Sequence, residues 1–391
     1  YMNDISAISR RPKVRAALEG FRDGLDTAVD QIIAIQQIPS PTFAEEMRAR
    51  YIEGRFRAIG LKDVARDEAG NVYGRLPGRD ADREPLVLSA HLDTVFAAGT
   101  DLTVRREGQF VHGPGIGDNS TGVAGLLLVA QAIIEHRLPH AADIHFVANG
   151  GEEGLGDLYG MRAVVERFGG RATYVVVEGG LFGRLVHQAV GSRRYRVEII
   201  APGGHSWGGF GTPSAIHVMG RLIAAIDDLT VPEAPRTTYN VGVVEGGISI
   251  NSIANSARLW LDLRSEGADE LSRLVGQVHE IVERMNQKYR DDGDAVQIEM
   301  IQVGDRPAGS IERQSPVVAY AEAALELVAA EEIRYLASST DANIPLSLGY
   351  QAVCLGLTHS GNAHRPDEFI DVTNLPAGLS QLLLVTLAVA G

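Results

Sequence analysis

Cysteine is nearly absent. Cys354 is the single one in 391 residues, which rules out an intrachain disulfide. It lies in an apolar, strand-like run and reads as a buried thiol rather than a nucleophile. No unbroken apolar run approaches the roughly 18 residues that a membrane span needs. The opening stretch, YMNDISAISRRPKVRAALEG, has no apolar segment of the kind a secretory signal uses. Positive charge is also short. Thirty-six Lys and Arg face 50 Asp and Glu, a formal net charge of −14, which disfavours a nucleic-acid partner. Internal repeats and low-complexity tracts are missing too. These absences leave a soluble, cytoplasmic protein with no membrane partner as the expectation.

What is present is an ordinary globular composition, 45% hydrophobic, in a chain too long for one core. The first third alternates helix-like and strand-like segments. Residues 14–38 and 45–59 have helical apolar spacing, and 85–93, PLVLSAHLD, is a nearly continuous apolar strand. A buried-looking helix follows at 121–134, then strands at 144–148 and 174–177 around a helix at 158–168. The middle of the chain reads strand (194–200), helix (213–229), strand (237–247), strand (256–265), helix (268–289), strand (295–303). That β-α-β-β-α-β order is the order of a ferredoxin-like unit. From 315 the α/β pattern resumes, with a helix at 315–330, a strand at 350–357 and a closing helix near 373–389. The predicted architecture is therefore α/β: a mixed-sheet domain built from 1–189 and 306–391, with a ferredoxin-like domain, 190–305, inserted.

Acidic and imidazole residues recur at the C-terminal ends of the predicted strands, where open α/β sheets place ligands. His91 and Asp93 end the first, in SAHLDTV. Glu152 and Glu153 follow the second, in NGGEEGLGD, and Glu178 ends the third. His364 follows the last, in SGNAHRPDE, and Asp118 precedes a helix in GPGIGDNSTG. Singly, each has a plain alternative: a core histidine, a helix cap at Asp118, a surface charge at Glu178. Together, carboxylates at matching depth would carry large desolvation costs unless something positive met them. A divalent metal does so. The mixed nitrogen and oxygen set suits zinc, with manganese or cobalt as alternatives, and is large enough for two ions about 3.5–4 Å apart sharing one carboxylate. One of Glu152 and Glu153 could bind metal while the other moves a proton. Asp93, two residues beyond His91, is placed to orient its imidazole. The flanking glycines read as slack that lets both glutamates reach one site.

In order and context these five motifs resemble the zinc exopeptidase family that contains peptidase T, glutamate carboxypeptidase, aminoacylase and succinyl-diaminopimelate desuccinylase. The resemblance spans almost the whole chain. It implies that Asp118 bridges two zinc ions, with His91 and Glu178 on one and Glu153 and His364 on the other. It implies that Glu152 is the general base for a metal-bridging water, and that the Asp118–Asn119 bond is cis. The inserted domain would be a lid and dimerisation domain. In it His205, in APGGHSWGG, would stabilise the oxyanion, often across a homodimer, while Asn251 and Arg264 would hold a substrate carboxylate. Some amidohydrolase relatives carry Cys where Asp118 stands, so this Asp argues against their subgroup. Trp207 stands where a small residue is common, and no proline follows Asn251.

The activity implied is hydrolysis of a small peptide or N-acyl amino acid beside a free terminus. Glu178 matches the carboxypeptidases and deacylases of the family, whereas GEEGLGDLYGMR looks more like the peptidase T aminopeptidases. Other readings compete. GPGIGD resembles a nucleotide-binding loop but lacks its third glycine. Gly204–Gly208 is a literal G-x-S-x-G, so Ser206 could serve a serine hydrolase, with Asp341 and His359 or His364 as partners; residues on both sides separate it from strand and helix. A catalytically inactive metabolite-binding homologue is a third. Asp341, in SSTDANIP, is a candidate structural or substrate contact.

Overall fold

The structure, a computed structural model, describes residues 1–329 and 332–391. The chain divides into two compact units. The larger comprises Tyr1–Ala189 and Ser310–Gly391, the smaller Val190–Gly309.

The larger unit is built on a nine-stranded sheet. At its centre Ile144–Asn149, Leu86–His91, Thr173–Glu178 and Ala352–Gly356 run parallel. Their registers are nearly flush: His91 lies opposite Asn149, and Gly356 opposite Glu178. Alternate residues feed two cores. Leu86, Leu88, Phe146 and Val175 pack with the long helices, while Val87, Val147, Tyr174 and Cys354 pack with Tyr159–Phe168 and its neighbours. A sheet covered on both faces needs apolar residues at every position, hence the continuous runs in the sequence. The C-terminal ends of all four strands therefore open on one side, and that is where the polar residues gather.

Local chemistry places several boundaries. The helical stretch 14–38 is two helices, Pro12–Asp23 and Leu25–Gln36, broken at Gly24. Proline opens the first, a position where its missing N–H is harmless. Glu46–Ile59 stops at Gly60, whose φ of 100° few other residues adopt. Short strands that the apolar pattern did not reveal extend the sheet, Lys62–Arg66, Val72–Leu76 and Arg184–Ala189 among them. The helix expected at 315–330 runs Pro316–Val328; residue 330 lies outside the described residues. The last helix, Leu375–Ala390, belongs to a stretch from 372 to 390 that is long and apolar enough to cross a membrane by length and composition. This corrects the sequence expectation that no such segment exists. Its Leu379, Leu382, Leu383 and Val385 are fully buried in the main core.

The smaller unit is a four-stranded antiparallel sheet with two helices. Along the chain it runs Gly191–Ile200, helix Ala215–Asp227, Thr237–Gly246, Ser256–Ser265, helix Ala268–Asp291, Gln297–Arg306. In space the third of these strands lies between the second and the first, and the last lies beyond the first. Leu259, Leu261, Leu263, Val197 and Ile199 form its core with Val218, Leu222, Leu274 and Val278. The last strand ends at Arg306, one residue past the expected domain boundary.

Gly378 marks the tightest packing of the terminal helix. A Cβ there would sit 2.2 Å from the carbonyl oxygen of Leu357. Gly378→Ala should destabilise the protein by about 1–3 kcal/mol through overpacking, read as a fall in the denaturant midpoint.

Candidate metal centre

The strand end at His91 sets the first half of the site. His91 Nδ1 lies 3.0 Å from the backbone carbonyl of Asp93. A carbonyl only accepts, so Nδ1 carries a hydrogen and Nε2 faces the carboxylates. Nε2 is 3.0 Å from Asp118 Oδ1 and 3.7 Å from Glu178 Oε2. The second half comes from the far end of the chain. His364 Nε2 is 3.1 Å from Asp118 Oδ2 and 3.2 Å from Glu153 Oε1. One carboxylate thus presents one oxygen to each imidazole, and each imidazole also meets a second carboxylate. His91, Asp118 and Glu153 offer ligand atoms within 4.8 Å of one another. His364 has a φ of 66°, unusual for a bulky side chain and a form of local strain found at functional sites. His359 is elsewhere, edge-on to Phe182 at 5.6 Å.

The electrostatics follow from burial and crowding. Burial alone would lower the pKa of His91, but Glu178, Asp118 and Asp93 overcome it and hold the imidazole well above its usual range. Asp118 and Glu153 raise His364 to about 10. Burial lifts Glu178 to about 7 against the pull of His91, with Asp118 and Asp341 adding to the rise. For Asp118 the burial cost is outweighed by His364 and His91, and its carboxyl sits below the usual range. Carboxylates that raise the pKa of two imidazoles despite burial make a site that strongly attracts positive charge. The donor set, two imidazole nitrogens and three carboxylates of which Asp118 is shared, fits a pair of divalent ions.

Buried side chains fix the loops that bear these residues. The carboxylate of Asp93 is 3.5 Å from His91 Nδ1, farther than Asp93's own carbonyl. Its hydrogen bonds come instead from the backbone N–H of Glu152 (3.0 Å), the N–H of Glu153 (2.9 Å) and the Thr42 hydroxyl (2.9 Å). Glu45 accepts from the Gly151 N–H at 3.2 Å and the Tyr159 hydroxyl at 2.8 Å. Three successive N–H groups therefore point at two buried carboxylates. Gly151 has a φ of 70°, and a Cβ there would lie 2.1 Å from the Tyr159 ring. The glycines before Glu152 are thus close-packed, not the slack expected from the sequence. Asn119 accepts from the N–H groups of Gly122 and Gly179 and donates to the Val177 carbonyl, tying the Asp118 turn to the strand that ends at Glu178. The Asp118–Asn119 bond is cis.

Glu368 is the residue that sequence reasoning passed over. It is the last letter of GNAHRPDE and is 1% exposed. Its carboxylate accepts from the N–H groups of Gly115 (3.0 Å), Gly117 (2.8 Å) and Asp118 (2.8 Å). Burial raises its pKa to about 7 against those three donors. Asp341 is fully buried and accepts from Asn149 Nδ2 at 2.7 Å.

The remaining sequence candidates lie in the smaller unit. Gly204–His205 pairs with Ser252–Ile253, and the Ser206 N–H donates to the Asn251 carbonyl at 3.0 Å, so His205 and Asn251 are neighbours. The N–H of Trp207 points at His205 Nδ1 (3.2 Å), so the ring hydrogen is on Nε2. Arg264 stands apart on Ser256–Ser265, its Nε 2.6 Å from Asp262. Ser206 is followed by turn residues up to the helix that begins at Ala215, so it does not sit on a strand-to-helix elbow.

The chain matches Peptidase family M20/M25/M40 over residues 87–387 and belongs to it. It is 28% identical over 373 residues to a putative succinyl-diaminopimelate desuccinylase of Mycobacterium tuberculosis, covering 90% of this chain and 96% of that one. It is 24% identical to carboxypeptidase G2 of a Pseudomonas species, over 84% and 80% of the two chains. Among solved structures it is similar to a tripeptidase of Staphylococcus aureus (TM-score 0.79, 23% identity, 94% and 98% covered). The aminopeptidase PepT of Bacillus cereus is comparable (TM-score 0.77, 21% identity, 94% and 99% covered).

The Glu368 contacts carry an expectation. Glu368→Gln keeps the volume but offers one acceptor oxygen where two are used. A zinc titration against a chromophoric chelator should show affinity reduced about 10- to 100-fold.

Proposed function

We propose that this chain is a co-catalytic dimetal hydrolase that cleaves a peptide or N-acyl amide bond beside a free terminus. The observation that carries this reading is the Asp118 carboxylate, placed between His91 and His364 with Glu178 and Glu153 behind them. His91, Asp118 and Glu178 would hold one ion, and His364, Asp118 and Glu153 the other, with zinc the best fit to the donors. Such ions polarise a carbonyl and make a nearby water acidic. Glu152, 6% exposed and fixed through its backbone by Asp93, takes the proton from the attacking water and returns it to the departing amine. His205 steadies the oxyanion through Nε2–H, a role supported by the donor that occupies its Nδ1. Asn251 and Arg264 bind the substrate's carboxylate; the support is stronger for Asn251, which neighbours His205, than for Arg264, already joined to Asp262.

Glu178 favours carboxypeptidase or deacylase chemistry, in line with the names of the sequence relatives, a desuccinylase and a carboxypeptidase. The solved neighbours include a tripeptidase and an aminopeptidase, and a peptidase T-type aminopeptidase, which GEEGLGDLYGMR resembles, is the second reading. Substrates with free and blocked termini separate the two: hydrolysis that survives a blocked amino terminus supports the first. Glu152→Gln should abolish turnover while about two metal ions per chain remain bound; full activity in that variant removes Glu152 from the mechanism. Chelation should silence the enzyme, and zinc, cobalt or manganese should restore it.

The smaller unit also serves as a lid and as the contact of a homodimer in this reading. Thr237–Gly246 is an edge strand with Val243 50% and Val244 52% exposed, and the adjoining Ile248 and Ile250 are fully in solvent. Long apolar edges of this kind are normally covered. Val244→Lys should shift the mass measured by light scattering from dimer to monomer. A monomeric parent protein would refute the assignment.

A further inference from the structure

The largest fully buried side chain in the protein is a charged one, Arg48, 1% exposed. Among the described residues of the larger unit, no other Arg or Lys is buried. Its guanidinium makes no ion pair. Nε and Nη2 donate to the Ile38 carbonyl at 3.1 and 2.8 Å, and Nη1 donates to the Leu92 carbonyl at 2.8 Å. A buried cation held only by neutral carbonyls is costly, so it calls for a compensating role. Helix stability does not supply one. Arg48 is in the first turn of Glu46–Ile59, where the helix dipole disfavours positive charge.

Its two anchors explain it better. Leu92 lies between His91 and Asp93. Ile38 opens the segment IPSPT, whose remaining residues are knit to the same strand end. The Thr94 N–H donates to the Ser40 carbonyl at 2.8 Å, and the Thr42 hydroxyl donates to Asp93 at 2.9 Å. Arg48 therefore closes a clasp across residues 38–42 and 92–94. The planar fork suits this task, because two nitrogens grip one carbonyl while a third reaches the other. The charge of Asp93, whose carboxylate holds the Glu152 and Glu153 backbone, favours the buried guanidinium in turn.

We propose that Arg48 is a positioning residue of the metal centre, acting through Leu92 and Asp93 to fix the His91 ligand and the loop of Glu152 and Glu153. The proposal rests on the reading of His91 and Glu153 as metal ligands. The test is zinc affinity, measured by competition with a chromophoric chelator on folded protein well below its melting temperature. Arg48→Ala should bind zinc about 10- to 100-fold more weakly. Millimolar guanidinium chloride should restore much of the loss, and urea, its neutral isostere, should not. Arg48→Lys keeps the charge but not the fork, and should fall between the two. If the alanine variant does not fold, Arg48→Met keeps most of the volume and is read in the same way. On a substrate that the parent protein cleaves, kcat should fall with KM nearly unchanged. Unaltered zinc affinity in a destabilised variant, or recovery by urea equal to that by guanidinium, overturns the proposal. A parent protein that binds no zinc overturns the reading beneath it as well.

Discussion

The centre of this protein is a problem of like charges. Asp118, Glu153 and Glu178 converge with Asp93 and Glu152 at the mouth of a sheet buried on both faces, where repulsion is weakly screened. Two imidazoles from opposite ends of the chain meet part of that charge, and Asp118 is shared between them. The rest of the architecture follows from holding this arrangement against its own repulsion. Parallel strands bring their ends flush, so residues far apart in sequence arrive at one depth. Loops then carry each carboxylate the last few ångströms.

Those loops would be free to relax the repulsion by moving apart if nothing held them. What holds them is a layer of buried side chains bonded to backbone. Asp93 and Glu45 fix Gly151–Glu153, Glu368 fixes the turn that carries Asp118, and Asn119 joins that turn to the strand of Glu178. Several members of this layer are themselves acidic. Each accepts N–H groups that would otherwise be orphaned under the protein surface, so the acids and the amides stabilise one another. The backbone donors also offset some of the negative charge that the site concentrates. The same side chains thus answer both the hydrogen-bonding and the electrostatic demands of the loops.

The site was more legible in the sequence than the layer beneath it. His91, Glu153, Glu178 and His364 stand at or beyond strand ends inside distinctive short motifs, and their recurrence at matching depth, rather than any one of them, marks them as candidates. The central strands were legible because burial on both faces writes continuous apolar runs. Lys62–Arg66 was not, since KDVAR at an exposed edge has no such run. The break at Gly24 was masked because apolar spacing continues across it. Glu45 and Glu368 were invisible for another reason. Their partners are backbone amides, which every residue possesses, so no pattern of residue types betrays them. Asp93 shows the limit most clearly. Its spacing from His91 pointed to the imidazole, which lies 3.5 Å from its carboxylate, but nothing in the spacing pointed to the loop 59 and 60 residues away that the same carboxylate also holds.

That contrast bears on how relatives with different substrates can share this frame. The chain belongs to Peptidase family M20/M25/M40 and is similar in sequence to a putative desuccinylase and a carboxypeptidase, while its solved neighbours include a tripeptidase and an aminopeptidase. The interactions described in the larger unit fix the candidate ligands and the proposed base; none of them reads a substrate side chain. Features outside that frame can vary without disturbing it. The loop GGHSWGGFGT has this character. It leaves Trp207 88% and Phe210 93% exposed, and its backbone is secured by one short strand pairing and by His205 itself. Trp207 is a departure from the family pattern and costs the core nothing. The charge-dense centre and this aromatic loop are held by separate sets of hydrogen bonds, so a substitution in the loop leaves those of the centre intact.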